Sequence, residues 1–289
     1  MLASTGCHTG LIGEWTVDKK PWAYGFEEFA GFLNTDDSRN YFASTLWRFD
    51  PRNTYDLATS KWVDWKPGSP HNGGPEMLYP NTGGKQGQYL PELFINVMCN
   101  FVRVNDPDQF NQYRPFFLLV DLPAPRSAAA GADEFPVPSD APFSDEPWPQ
   151  AAKNRAALIT RLDGGIGRLF AQFRELGISN NVAIFFGSSE APEKFHDPKM
   201  DFLTPNGTAV AGDNGSPAPL PMIVWCPQEI PAGQVSEFKW TGVDFLPTAL
   251  QMSYTKPAKE MDGISILPVL QGKKGPDVDM PVPISPGGP

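Results

Sequence analysis

Asn181-Val-Ala-Ile-Phe-Phe-Gly-Ser-Ser-Glu-Ala-Pro-Glu193 contains a short apolar run, Val182 to Phe186, bounded by polar and small residues. Its β-branched and aromatic content predicts a strand. The lack of apolar/polar alternation predicts burial on both faces, as in a parallel sheet covered by helices. The chemistry of such sheets gathers beyond the carboxyl ends of the strands, so Gly187-Ser188-Ser189-Glu190 stands where a ligand or metal is expected. Two hydroxyls and one carboxylate hold a hard cation only if other loops add oxygens; otherwise the segment is a polar turn.

Working outward, the strongest helical signal lies just upstream, in Ala151 to Leu176. There Leu158, Leu162, Ile166, Leu169, Phe173 and Leu176 recur at steps of three and four, and Gly177 supplies the stop. Gly164, Gly165 and Gly167 lower helix propensity and predict close packing against another backbone. Pro115-Phe-Phe-Leu-Leu-Val-Asp121 is a second buried strand, and Leu122 to Pro149, with seven prolines, is an extended surface connection. Strand, helix and strand in that order predict a crossover unit, right-handed if its strands are parallel.

Elsewhere, Thr9 to Trp15 reads as a strand leading into a loop. Tyr24 to Leu33 reads as a helix, from the spacing of Phe26, Phe29 and Leu33. Asp50 to Gln88 has no sustained period and reads as a long loop with room for a hairpin. Tyr89 to Val102 is a helix with Pro91 in its first turn. Leu220 to Trp225 is a third strand, Asp244 to Met252 a helix, and Asp262 to Leu270 a turn and helix. The expected organisation is one α/β domain over 1–274 and a Pro/Gly-rich tail over 275–289.

The chain has 289 residues, 40% hydrophobic and 19% charged, enough for one sizeable α/β domain. Its formal charge of −10 argues against nucleic acid and anionic membranes, which reward basic patches. No apolar run is long enough for a transmembrane segment, and no secretory signal opens the sequence. Either the product is cytosolic, or a targeting segment lies outside these residues. Cys7, Cys99 and Cys226 are odd in number and widely spaced, so no metal or redox Cys-x-x-Cys motif forms. Cys226 reads as a small buried hydrophobe.

Ten stretches in order resemble the type I sulfatases of the alkaline phosphatase superfamily. They are Gly10-Leu-Ile-Gly-Glu-Trp15, Gly25-Phe-Glu-Glu-Phe29, Pro115-Phe-Phe-Leu118, Trp148-Pro149, Leu158-Ile-Thr-Arg-Leu-Asp163, Gly167-Arg-Leu169, Glu175-Leu-Gly177, Pro221-Met-Ile-Val224, Asp244-Phe-Leu-Pro-Thr248 and Asp262-Gly-Ile-Ser265. The resemblance runs from Gly6 to Gly272. It implies an alkaline-phosphatase-like α/β fold with a central mixed sheet flanked by helices, lacking the family's N-terminal part. The usual sheet would then be without its first strand and covering helix, which would leave an open strand edge and an apolar patch.

In active members of that family, the resemblance implies a Cys/Ser-x-Pro-x-Arg motif whose formylglycine attacks the sulfate ester beside a calcium or magnesium ion. No such motif occurs in these residues. A Lys and a His of the family's Gly-Lys-Trp-His-Leu-Gly align with Glu14 and Thr16, which puts an anion where a cation should face sulfate. A further His aligns with Arg126, which keeps its charge but cannot shuttle protons near neutral pH. The Ser-Asp-Asn-Gly metal motif aligns with Ser188 to Ala191, so Ser189 and Glu190 replace Asp and Asn. A later Lys falls near Val210. All these positions are degenerate.

A replacement site would have to come from Glu190, Glu193, His196 and Asp197, which are close in sequence but lack a helical period; a solvated loop is the commoner outcome. His8 and His71 have no partners at metal-ligand spacing and read as surface or capping residues. No cofactor is expected. The expected function is a non-catalytic structural or accessory subunit that binds other protein subunits or itself. The alternatives are a sulfated-glycan binding module and a hydrolase fragment completed by another chain. The resemblance suggests an exported protein, in a periplasm or organelle lumen.

Overall fold

A computed structural model describes residues 6–50, 55–56, 61–62, 73–129, 131, 133–189, 195–203, 220, 222–255 and 261–275. The chain divides into two compact units, Met1–Leu176 with Ala191–Ala218, and Gly177–Glu190 with Pro219–Pro289.

The first unit contains, in order, β1 (His8–Glu14), β2 (Glu28–Phe32), α1 (Thr35–Ser38), β3 (Thr45–Phe49), the two-residue strands β4 (Tyr55–Asp56) and β5 (Lys61–Trp62), β6 (Gly74–Met77), α2 (Leu90–Val104), β7 (Phe116–Asp121) and α3 (Gln150–Glu175). Its five-stranded sheet has the order β6-β3-β2-β1-β7. β1 runs parallel to both β2 and β7, while β3 is antiparallel to β2 and β6, so the sheet is mixed as expected.

β1 is the central strand of the parallel half. Leu11 and Ile12, on opposite faces, are both buried. α2 covers the face of Gly10 and Ile12, and the ring of Phe101 occupies the space a Gly10 side chain would need. One core cluster joins Ile12 and Phe32 of the sheet to Leu90, Phe94, Ile95 and Met98 of α2. A second joins Tyr41, Tyr89, Phe135, Leu158, Leu162 and Met200.

Three expectations change. Tyr24 to Leu33 is not a helix: its core is β2, wedged between β1 and β3, with Phe29, Ala30 and Phe32 all buried. A strand buried on both faces has apolar residues at every position, which masks its period of two. α3 packs against α2. Of its glycines only Gly165 meets a neighbour, and that neighbour is a side chain: a Cβ there would lie 2.7 Å from Ile95 Cγ1, whereas Gly164 and Gly167 face open space. β7, read as fully buried, is the edge strand and only partly covered, with Leu119 38% exposed.

The second unit holds β8 (Ile184–Gly187), β9 (Met222–Trp225), α4 (Phe245–Met252) and α5 (Leu267–Leu270). Here the expected parallel crossover fails. β8 pairs antiparallel with β9 in a two-stranded sheet, and Phe186 and Ile223, directly opposite each other, are 52% and 65% exposed. An apolar run specifies a strand, but its burial depends on how many neighbours the sheet provides. The other face is packed: Phe185 meets Phe245 edge-on, with ring centres 5.1 Å apart.

The turn before α4 is tied by buried polar groups. Asp244 accepts from the Thr241 and Ile264 amides at 2.8 and 2.9 Å. The Thr248 hydroxyl donates to the Asp244 carbonyl at 2.6 Å and accepts from the Ile266 amide at 3.0 Å. Two of the family-like stretches, 244–248 and 262–265, are thereby stitched together. Each buried polar atom finds a partner within the knot.

Two pairs of substitutions test the first unit's packing by denaturant midpoint. Leu162→Ala empties part of the second cluster and should cost about 2–5 kcal/mol, while Arg161→Ala removes only an exposed pair with Glu92 and should cost about 1 kcal/mol or less. Equal effects would mean that α3 is not docked through Leu162. Tyr41 and Tyr89 are both buried, but the Tyr89 hydroxyl has no hydrogen-bond partner among the described residues, whereas that of Tyr41 bonds the Arg126 backbone. Tyr41→Phe should therefore cost about 1–3 kcal/mol and Tyr89→Phe close to nothing.

Candidate functional site

The carboxyl ends of the parallel strands are where the first unit places Glu14 and Arg126. Glu14 closes β1, and its side chain is only 12% exposed. It is held from three sides. The Thr35 hydroxyl donates to Oε1 at 3.0 Å and the Ser38 hydroxyl to Oε2 at 2.5 Å. Arg126 Nη1 lies 3.6 Å from Oε2.

Local structure explains why those donors are there. The Asn34 side chain caps α1 by accepting from the Asp37 amide at 2.8 Å, and Asp36 and Asp37 suit its positive first turn. Thr35 and Ser38, three apart, then lie on one side of the single turn. Arg126 follows β7, and its backbone is fixed by Tyr41, whose hydroxyl donates to the Arg126 carbonyl at 2.5 Å and accepts from its amide at 3.2 Å. Thus Glu14 and Arg126, picked separately from the sequence, form one ion pair. Thr16 lies outside it and is exposed.

This arrangement matters chemically because the two charges offset each other. A sulfate ester approaching the end of β1 meets a hydrogen-bonded carboxylate and a guanidinium already paired with it. Displacing Glu14 from Arg126 would leave a mostly buried carboxylate without its counter-charge, which is strongly unfavourable.

Ser188 and Ser189 follow β8 in the second unit and are exposed; Glu190 and Glu193 lie outside the described residues, as do Val210 and His71. A calcium or magnesium ion requires several oxygens, carboxylates foremost, and neutral serine hydroxyls are a poor fit. No group of three or more His, Cys, Asp or Glu among the described residues is arranged to hold a metal.

His196 and Asp197 turn instead toward Asp133, a residue the sequence did not single out. The Asp133 carboxylate accepts from the His196 amide at 3.0 Å and the Asp197 amide at 2.9 Å, and His196 Nδ1 is 3.3 Å away. Burial pushes the Asp133 carboxyl up, but these hydrogen bonds outweigh it and hold it below the ordinary value. The group is a loop tie. Asp133 lies in an irregular Pro-rich stretch with no motif around it, so no local signal marked it.

His8 is another correction. It is partly buried at the amino end of β1, with Nδ1 3.3 Å from Glu27 Oε2 and 3.1 Å from Arg114 Nη1. Arg114 Nη2 also donates to Glu27 Oε1 at 2.9 Å and to the Cys7 carbonyl at 2.9 Å. This cluster clamps β1, β7 and the β2 approach together, at the end of the strands opposite Glu14. Cys226 is buried as expected, and burial raises its thiol pKa.

Comparison with known proteins agrees with the fold. The pig N-acetylgalactosamine-6-sulfatase is 32% identical over 94% of this chain and 48% of its own length, and the mouse protein of that name 30% identical over 98% and 49%. The chain thus spans about half the length of these relatives. Among solved structures, Ps i-CgsB, crystallised with a neocarrahexaose, superposes with a TM-score of 0.65 at 22% identity, covering 97% of this chain and 58% of its own. The PsFucS1 sulfatase from Pseudoalteromonas superposes at 0.64 and 20% identity, covering 95% and 55%. These neighbours share the alkaline-phosphatase-like fold. The sequence profile of the Sulfatase family matches residues 1–253, and the chain belongs to that family.

Proposed function

We propose that this chain is a non-catalytic, sulfatase-derived subunit that serves a structural or accessory role in a larger protein assembly. The observation that carries this reading is the Glu14–Arg126 pair, 3.6 Å apart. Catalysis on a sulfate ester depends on preorganised positive groups aimed at the oxyanion. Here the position that resembles the family's sulfate-facing lysine is a carboxylate, fixed by three partners and neutralising the nearest arginine. The substitutions at Ser189 and Glu190 act in the same direction at the position resembling the metal motif.

What is kept is packing. Gly10, Gly13, Gly165, Leu158, Leu162, Asp244 and Thr248 all have a structural part in the two units. A sulfated-glycan binding role fits less well, because recognising several sulfates wants several unpaired Arg and Lys, and Arg126 is already held by Glu14.

The purified chain should not turn over a chromogenic aryl sulfate, with or without added calcium or magnesium. Glu14→Lys alone should not create turnover, since one cation does not supply a nucleophile. Turnover by the wild-type chain that Glu190→Ala abolishes would refute the reading, because it would show a working site at the degenerate positions.

A further inference from the structure

Beside α2, over the α2-facing side of β2 and β3, lies a half-open cavity of about 700 Å³. Sites for small molecules measure about 300–1,000 Å³ and are mostly apolar, with a few placed polar groups. Strand register explains the floor. Ile12 pairs with Ala30 and Ala30 with Arg48, so these side chains share one face with Leu46, two residues along β3. The wall is a flank of α2 on which Leu93, Val97, Asn100 and Val104 recur at helical spacing, with Asn96 beside them. Leu93, Val97 and Val104 are only half-buried there.

The charges lining this cavity already have partners. Arg48 lies between two carboxylates, Glu76 at 3.4 Å and Asp50 at 4.0 Å, and Glu28 accepts from Asn105 at 3.2 Å. Two uncharged groups are placed differently. Arg168 donates to Asn96 Oδ1 at 2.8 Å, and Arg103 donates to Asn100 Oδ1 at 2.7 Å. An arginine can only donate, so each contact turns the amide oxygen to the arginine and leaves the NH₂ group over. Neither NH₂ donates to a described residue. Two donors one helical turn apart, about 6 Å at 1.5 Å per residue, therefore edge an apolar slot.

We infer that this cavity binds an uncharged apolar molecule bearing a carbonyl acceptor, with its chain against Ala30, Leu46 and Val97 and its oxygen on the Asn96 or Asn100 amide. Three carboxylates in the lining oppose an anionic head, and Arg48 opposes a cationic one at β3. A neutral head leaves the existing pairs intact and brings no charge to desolvate. Burial of the chain supplies the affinity, and the amide bond sets the orientation.

Titration of the full chain with methyl octyl ketone, followed by the side-chain amide NMR signals of Asn96 and Asn100, tests this. Saturable shifts are expected in the wild-type chain. Decanoate and decylammonium, which have as many carbons but charged heads, should bind at least about tenfold more weakly. Asn96→Asp combined with Asn100→Asp keeps both arginine contacts and removes both donors. Calorimetry should find ketone binding about fivefold weaker in that variant, with no loss of denaturant midpoint. Val97→Trp, which fills the slot, should abolish binding. Absence of saturable shifts in the wild-type chain, equal or tighter binding of either charged analogue, or an affinity indifferent to the paired Asp changes would each overturn the inference.

Discussion

Close backbone approach around β1 is the constraint on which the first unit depends. Gly10 leaves room for the Phe101 ring, and Gly13 sits at φ +111° with its open side against the Asp121 carbonyl of β7. Any side chain at either place would push away α2 or β7. With those two neighbours seated, Leu11 and Ile12 are buried on opposite faces and the parallel half of the sheet is complete. The Arg114–Glu27–His8 cluster closes one end of this arrangement and Glu14 with Arg126 the other, so β1 carries an ionic tie at each terminus.

The tie at Glu14 shows what the fold asks of the residue that closes β1. Neither strands nor helices need a particular charge at position 14. They need only that whatever group stands there is solvated or paired, and Ser38, Thr35 and Arg126 meet that need for a carboxylate. Packing is strict at Gly13 and permissive one residue later.

Much of this was legible in the residues. The helices over 90–104 and 150–175 follow from apolar spacing, and the strands at 116–121, 184–187 and 222–225 from short apolar runs. β2 was not, because Phe29, Ala30 and Phe32 are buried on two faces and leave no alternation to read. The neighbours of β8 were not, because pairing partners are set by tertiary context that a run such as Ile184 to Gly187 does not encode. At the candidate site, sequence reasoning found Glu14 and Arg126 one at a time. Their contact depends on Tyr41, which bonds the Arg126 backbone from 85 positions away in the chain, and on a one-turn helix, and neither has a signature at that range.

The β6 edge of the five-stranded sheet also limits how that sheet can grow. A sheet open at both margins can add copies without end, which is the geometry of a fibre. Pro75, which has no amide hydrogen to offer, and the charge of Glu76 blunt the β6 margin, so strand addition at that side is discouraged.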